Sequence, residues 1–384
     1  MTMQNTQSST SIPEREAVSV ILPIYNAGRY LDQALCSVEA QTHRALEIIC
    51  VNDGSTDDSP AIMRAHAERD GRIRIIDQEN RGYGAAMNAG MAAATGAWIA
   101  ILEPDDWIEP GMFSDTLALA AHYETAERPI DIVKTPYWII RDPDTPRQIK
   151  LPCSYKGRVR TKPQPFTVHD APHLLGHHPS IWSAIYRTRF LRERSIRFKE
   201  IPGAGWADNP FLVETLCQAR AICYLDQAYY CYREETPEKE IALARRSPLL
   251  PFERWEDMAD VLDRLHVTDP AVWTQQITRG FNYLGGIVRT TGLEDRPEIK
   301  AAATRMFSRM DPALVFANPR VSPAAKRLFA RYRGIENPPI SEWMHLKDLV
   351  GQGVYSLASR GPRTTAKMVL RYFHDYRLRV GGKR

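Results

Sequence analysis

The chain has 384 residues, 43% of them hydrophobic, with a net charge of +4. That is enough apolar material for one large or two ordinary soluble domains, and no uninterrupted apolar run reaches the roughly 18 residues of a membrane span. The polar N-terminus, residues 1–17, lacks the positive-then-apolar signal pattern and reads as a disordered lead, and six cysteines without CxxC spacing read as reduced thiols, so the expectation is a cytoplasmic protein without disulfides.

The first third alternates. Strands are predicted at 18–25, 46–53, 73–77 and 97–103. Helices are predicted over 28–41, from about 57, over 83–94 and over 112–123. Alternation of this kind predicts a Rossmann-like, mostly parallel α/β sheet, with ligands bound outside the carboxyl ends of its strands. Those ends carry "PIYN", "NDGSTD", "ENRGYG" and "EPDD". Residues 129–180 show no clear period. From about 208 the chain reads as helical, with Phe252, Trp255, Met258, Ala259 and Leu262 at helical spacing. A charged, proline-interrupted stretch, "REETPEKE", suggests a boundary near 240. The last 25 residues hold eight basic residues against Asp375 alone. Val369, Tyr372, Phe373, Tyr376 and Val380 recur at helical spacing among them. The tail at 359–384 therefore reads as a basic amphipathic helix suited to an anionic membrane surface, or as a solvated helix packed on the body. No nucleic-acid recognition module accompanies it.

Three strand ends carry candidate chemistry. Asp53 in "VNDGSTDDS" closes an Asx turn or accepts a hydrogen bond from a ligand N–H. "RGYGAAMNAG" resembles a dinucleotide fingerprint, but Met87 occupies the third glycine position, where helix–strand packing needs a small residue. Arg81 and Gly82 then belong to a turn beside an anionic ligand or to a plain helix entry. Glu103, Asp105 and Asp106 crowd the end of the fourth strand. Magnesium is typically held by one or two carboxylates together with substrate phosphates, which points to Glu103 and Asp105 as ligands of Mg2+ or Mn2+. The pair His177–His178 has no carboxylate or cysteine at ligand spacing, which argues against a metal there. Asp208 stands where a helix N-cap would.

Taken in order, "VILPIYNAGRYLDQALCSVEAQT", "EIICVNDGSTDDS" and "NRGYGAAMNAGMAAATGAWIAILEPDDW" resemble the donor-binding half of the family 2 glycosyltransferases, which have the GT-A fold. "HHPSIWSAIYRTRFLRERSIRFKEIPGAGWADNPFL" resembles the acceptor half of bacterial members that build surface polysaccharide and lipopolysaccharide. The resemblance implies a donor-binding half at 18–128, an acceptor-binding half at 129–240 and a helical region at 241–358. It implies that Pro23, Tyr25 and Asp53 meet the nucleotide base, with Asn26, Arg81, Gly82 and Asp106 on the same donor edge. Asp105 becomes the main metal ligand. Glu103 stands where the family usually has aspartate. Asp208 maps to the catalytic base, and Ala207 replaces the acidic or amide side chain that usually precedes it. His178, Trp182 and Trp206 map to the acceptor border. The implied function is inverting transfer of a sugar from a nucleotide-diphosphate donor, UDP in particular, to a growing, lipid-linked surface glycan. A nucleotidyltransferase with a similar acidic metal site and a catalytically decayed glycan-binding protein are the rival readings.

Overall fold

The computed structural model describes residues 16–161, 163–203, 205–234, 242, 245–291 and 296–380, without the side chains of 289–291 and of part of 359–380. Of the lead expected at 1–17, residues 1–15 fall outside the described residues, as do the boundary near 240 and the chain end at 381–384.

The alternating third folds as its pattern requires. Strands β1 (Val18–Ile24) and β2 (Leu46–Asp53) are almost entirely buried and lie side by side, in parallel, inside the sheet. Their near-continuous apolar runs suit strands covered on both faces. Strand β3 (Ile73–Gln78) forms the outer edge and is only partly buried. Strand β4 (Trp98–Ile101) pairs with β1 on the other side. Between them come α1 (Gly28–Glu39), α2 (Ser59–Arg69) and α3 (Tyr83–Ala93), with α4 (Met112–Tyr123) following β4. Helix α1 buries Leu31, Ala34, Leu35 and Val38, the stripe expected of a helix with one core face.

The irregular middle is where sequence and structure part. After β5 (Trp107–Ile108) come β6 (Ile132–Lys134), β7 (Tyr137–Arg141), β8 (Ile149–Pro152), a 3-10 turn at Pro172–Gly176, β9 (Ala184–Arg187) and α5 (Thr188–Glu193). Helix α6 (Asp208–Gln218) is followed by two more strands, β10 (Ile222–Tyr224) and β11 (Tyr230–Arg233). A wholly helical chain from 208 is therefore incorrect. Ile222, Cys223, Tyr230 and Cys231 belong to a β-rich run, and non-local pairing with β6 and β7 fixes them as strands. The main sheet has seven strands in the order β10-β6-β9-β4-β1-β2-β3, with β9 antiparallel to both neighbours. A second sheet has the order β5-β11-β7-β8.

The C-terminal part is helical: α7 (Leu250–Arg264), α8 (Pro270–Thr291), α9 (Pro297–Ser308), α10 (Pro312–Ala317), α11 (Pro323–Arg333) and α12 (Glu342–Val380). Helix α7 packs on α6, and α8 packs on the 3-10 turn. Arg279 of α8 is buried and donates mainly to segments that precede the helical region. It donates to Asn209 Oδ1 at 3.0 Å, to the Leu175 carbonyl at 2.5 Å and to the His177 carbonyl at 2.6 Å. A buried guanidinium with several acceptors ties the helical region to the neighbourhood of Asp208. Its loss strands acceptors in a dry site.

Arg279→Met should lower unfolding free energy by roughly 3 kcal/mol in chemical denaturation. The Arg279 charge also lowers the Asp208 pKa, so the same variant should move any Asp208-dependent step to higher pH.

Candidate active site

The ends of β1 to β4 converge on one edge, as parallel topology demands. The side chain of Asn26, at φ +50°, accepts from the Thr56 amide at 2.8 Å, and the Asn26 amide donates to Ser55 Oγ at 3.1 Å. These bonds join the end of β1 to the turn after β2. Tyr25, beside it, leaves 52% of its surface exposed, an open aromatic face at the mouth of the edge. Pro23 lies inside β1, paired with Val51 and buried. Asp53 is also buried. Its Oδ1 accepts from Gln78 Nε2 at 2.7 Å and from the Arg81 amide at 2.9 Å, and its Oδ2 accepts from the Gly82 amide at 2.9 Å. The aspartate at the end of β2 thus sets the course of the loop that follows β3.

That loop then meets the segment from Phe198 to Gly203. Gly82, at φ +89°, would place a Cβ 2.3 Å from the Ile201 carbonyl, and Gly84 would place one 2.1 Å from the Lys199 carbonyl. No side chain fits at either point. The Tyr83 amide donates to the Gly203 carbonyl at 3.0 Å, and Asn88 makes reciprocal bonds with the Phe198 backbone at 2.9 Å. Arg81 is paired with Glu200 at 2.8 Å. The glycines of "RGYG" therefore serve backbone contact with the 199–203 segment, and Arg81 is already engaged by a carboxylate. Of the two expectations for this turn, the helix entry is what the structure describes directly, since Gly82 immediately precedes α3.

The acidic turn divides into three roles. Glu103 is half-buried and accepts from Tyr83 Oη at 2.6 Å. Burial pushes its pKa up to about 8. The Tyr83 bond opposes that rise, and the charges of Asp105 and Asp208 add to it. Asp105 is exposed at the tip. Asp106 is buried, with Oδ2 accepting from Tyr230 Oη at 2.9 Å and Oδ1 from the Arg233 amide at 2.7 Å. Placing Asp106 at the donor is therefore a misreading of a structural residue, since both of its oxygens anchor the turn to β11. Burial likewise lifts Asp106 well above the usual carboxylate range.

Asp208 starts α6, and Asn209 Nδ2 donates to its Oδ1 at 3.1 Å. Ala207 occupies the cap position and Asp208 is the first residue of the helix, so the N-cap reading does not hold. Burial raises its pKa to about 6, with the nearby Arg279 charge pulling the other way. Asn209 Oδ1 is held by Arg279 and by Tyr283 Oη at 2.8 Å. Trp206, at φ +53°, is half-buried with its ring 5.4 Å from that of Tyr283. His178 is exposed, 5.2 Å from the Tyr232 ring. Trp182 is only 4% exposed and stacks on Tyr230 at 3.9 Å. It is a packing residue, not an open platform for a sugar, because tyrosines of β11 already cover its face.

Tyr83, Asn209, Arg279, Tyr283 and Tyr230 were not singled out from the sequence. The only signal for Arg279 is a run of polar residues, Gln276, Thr278 and Arg279, inside an apolar helical period, and all three are buried.

Glu103 is reached by the charges of both Asp105 and Asp208 at this edge. A carboxyl whose acidic neighbours and burial raise its proton affinity suits a hard divalent cation, which removes the cost of ionising it. The donor set fits Mg2+ or Mn2+, with Asp105 and Glu103 as the residues to hold it.

Residues 19–173 match glycosyl transferase family 2. This part of the chain belongs to that family. Among curated relatives, the putative glycosyltransferase EpsH of Bacillus subtilis is 36% identical over 238 residues, covering 57% of this chain and 61% of its own length. The uncharacterized glycosyltransferase EpsJ of the same organism is 31% identical, with 56% and 61% coverage. The chain thus spans about three fifths of the length of those relatives. Among solved structures, S. aureus TarS residues 1–349 superimpose with a TM-score of 0.66 at 20% identity, over 88% of this chain and 92% of that one. The fold is GT-A, helical C-terminal region included.

The folded protein holds the Glu103 proton more tightly than the unfolded chain does. Stability therefore falls as pH rises from the ordinary value of 4.5 towards about 8. Glu103→Gln in EDTA should raise Tm at pH 9 and change it little at pH 4. Differential scanning calorimetry at the two pH values checks the sign.

Proposed function

We propose that the protein is an inverting glycosyltransferase that moves a sugar from a nucleotide-diphosphate donor to a hydroxyl of a growing surface glycan. The observation that carries this reading is the meeting of Glu103 and Asp105 from the donor half with Asp208 from the acceptor half at one sheet edge. Family membership over 19–173 supports it. Its donor half is taken as 18–128, its acceptor half as 129–240, and the remainder as a helical buttress ending in a basic tail.

In this reading Tyr25 offers its exposed ring to the base, and Asp53 keeps the base-side loop in place while accepting from a ring N–H. Solved fold-mates carry UDP and UDP-GlcNAc, and a UDP-sugar is the donor we assign. Mg2+ or Mn2+ held by Asp105 and Glu103 would supply positive charge to the departing diphosphate. Asp208, ionised above about pH 6, takes the proton of the acceptor hydroxyl as that oxygen bonds to the anomeric carbon. The bond from that carbon to the diphosphate oxygen breaks, the nucleoside diphosphate leaves, and the configuration inverts because attack and departure lie on opposite faces. Trp206 and His178 border the acceptor. The acceptor is lipid-linked in this reading, and the basic tail brings the enzyme to the inner face of an anionic membrane as a peripheral protein. Among the described residues, no helix is long and apolar enough to cross a membrane.

Asp208→Asn should abolish transfer, by at least 100-fold in kcat/KM, and leave donor affinity within about twofold by calorimetry. Near-normal turnover would overturn the assignment of the base. The wild-type kcat/KM should fall below about pH 6, where Asp208 is protonated. Asp105→Ala should weaken donor binding only when Mg2+ or Mn2+ is present; an equal loss in EDTA would remove it from the metal site. Release of pyrophosphate in place of UDP would favour a nucleotidyltransferase.

A further inference from the structure

Helix α12 is two helices in one. Gly361, at φ +79°, breaks it, with Pro362 next in the chain. One face of the first segment, residues 342–360, packs on the body. His345 Nδ1 lies 2.7 Å from the Pro319 carbonyl, Tyr355 Oη donates to the Lys156 carbonyl at 2.6 Å, the Arg158 guanidinium sits 3.1 Å from the centre of the Tyr355 ring, and Ser356 is buried. The opposite face carries Trp343, Leu346, Val350, Val354 and Leu357. Their spacing of three, four, four and three residues keeps them in one stripe. Their exposures run from 51% at Leu346 to 73% at Trp343. Past the break, Val369 and Leu370 are exposed as well. An amphipathic helix that seats its polar face on the protein and turns its apolar face outward needs something to cover that face.

A second copy of the chain is a poor cover. With Trp343, Val350 and Leu357 at the first core position of a heptad and Leu346 at the second, the next second-position residue is Gly353, which leaves a hole in the seam. The flanking positions hold Lys347, Leu349, Val354 and Ser356, which offer no opposite charges to select a partner helix. Parallel pairing would also bring two basic tails together. A lipid surface needs neither knobs nor register. It does need positive charge close to the apolar stripe, and the segment immediately following, 360–384, has eight basic residues against one acidic one.

We propose that the stripe from Trp343 to Leu357 inserts into the headgroup–acyl boundary of an anionic bilayer, with the basic segment beyond Gly361 held against the headgroups. The proposal deepens the membrane part of the function proposed above and rests on it. It moves the apolar anchor from the tail to the preceding helix, outside 359–384, and it makes attachment a two-part contact, apolar and electrostatic. Neither part substitutes for the other, since electrostatic attraction is screened by salt and insertion is not.

The test is co-sedimentation of the full chain with phosphatidylcholine vesicles, with and without phosphatidylglycerol, at low and high salt. Three proteins are compared: wild type, Leu346→Ser/Val350→Ser/Val354→Ser, and a chain ending at 359. The substituted residues are exposed, so thermal melts should show folding intact. The wild type is expected to pellet with the anionic vesicles and to remain partly bound at high salt. The triple variant should bind at least about tenfold more weakly and come off completely in salt. Quenching of tryptophan emission by brominated acyl chains should drop in Trp343→Phe. A triple variant that pellets like wild type overturns the stripe and leaves the basic tail as sole anchor. A wild type that fails to pellet overturns both. A wild-type dimer in light scattering that becomes monomeric in the triple variant also overturns the proposal and assigns the stripe to a second copy. The reading of the site as a sugar-transfer centre is decided separately by Asp208→Asn.

Discussion

The site depends on one backbone-on-backbone contact. The turn entering α3 and the segment from Phe198 to Gly203 approach so closely that a methyl group at Gly82 or Gly84 would collide with main-chain carbonyls. A contact of that kind has little freedom to slide, because carbonyl oxygens and amide groups are held by their own chains. It joins the alternating first third, whose strand ends supply Asp53, Glu103 and Asp105, to the part of the chain that supplies Asp208. Asp53 governs the contact from below by fixing the amides of Arg81 and Gly82. Asn88 governs it from the side through the Phe198 backbone.

Around this contact, charge is arranged at a cost. Glu103, Asp105 and Asp208 share a partly dry edge; burial raises both Glu103 and Asp208 above their ordinary values, and the charges of Asp105 and Asp208 add to the rise at Glu103. In a purely structural edge such a cluster would be a liability. The neighbouring acid, Asp106, shows how the protein treats an acid it uses for structure. It is buried and paid for with two hydrogen bonds from β11, one from Tyr230 and one from the backbone of Arg233. Arg233 in turn pairs with Asp144 at 2.6 Å and lies between the rings of Tyr30 and Trp107. The difference in treatment sets Asp106, which is buried and anchors the turn, apart from Asp105, which the same turn leaves exposed.

The helical region is part of the site's scaffold. Arg279 and Tyr283, both on α8, converge on Asn209, the residue after Asp208. Arg279 also holds the backbone before His178. Position and electrostatics are supplied together, since the same guanidinium that fixes Asn209 lowers the proton affinity of Asp208. A GT-A domain cut after β11 would lose both.

The sequence by itself determined the alternating first third of the fold. Long apolar runs at 18–24 and 46–53 and a clear helical stripe at 28–39 are local signals, and parallel topology then forces their carboxyl ends, with Asp53, Glu103 and Asp105, onto one edge. It could also nominate Asp208, through resemblance. The tertiary structure alone decided the rest. The strands of the acceptor half are three to five residues long, too short to show a period, and they become strands only by pairing with segments far away in the chain. Asp105 and Asp106 are adjacent and chemically identical, and only the fold exposes one and seals the other beneath β11. Trp182 and Tyr25 are both aromatic residues near the edge, and neighbours on other strands left only Tyr25 open. Residues such as Arg279 act through contacts about 70 to 100 positions away, and no spacing rule along the chain records a contact of that range.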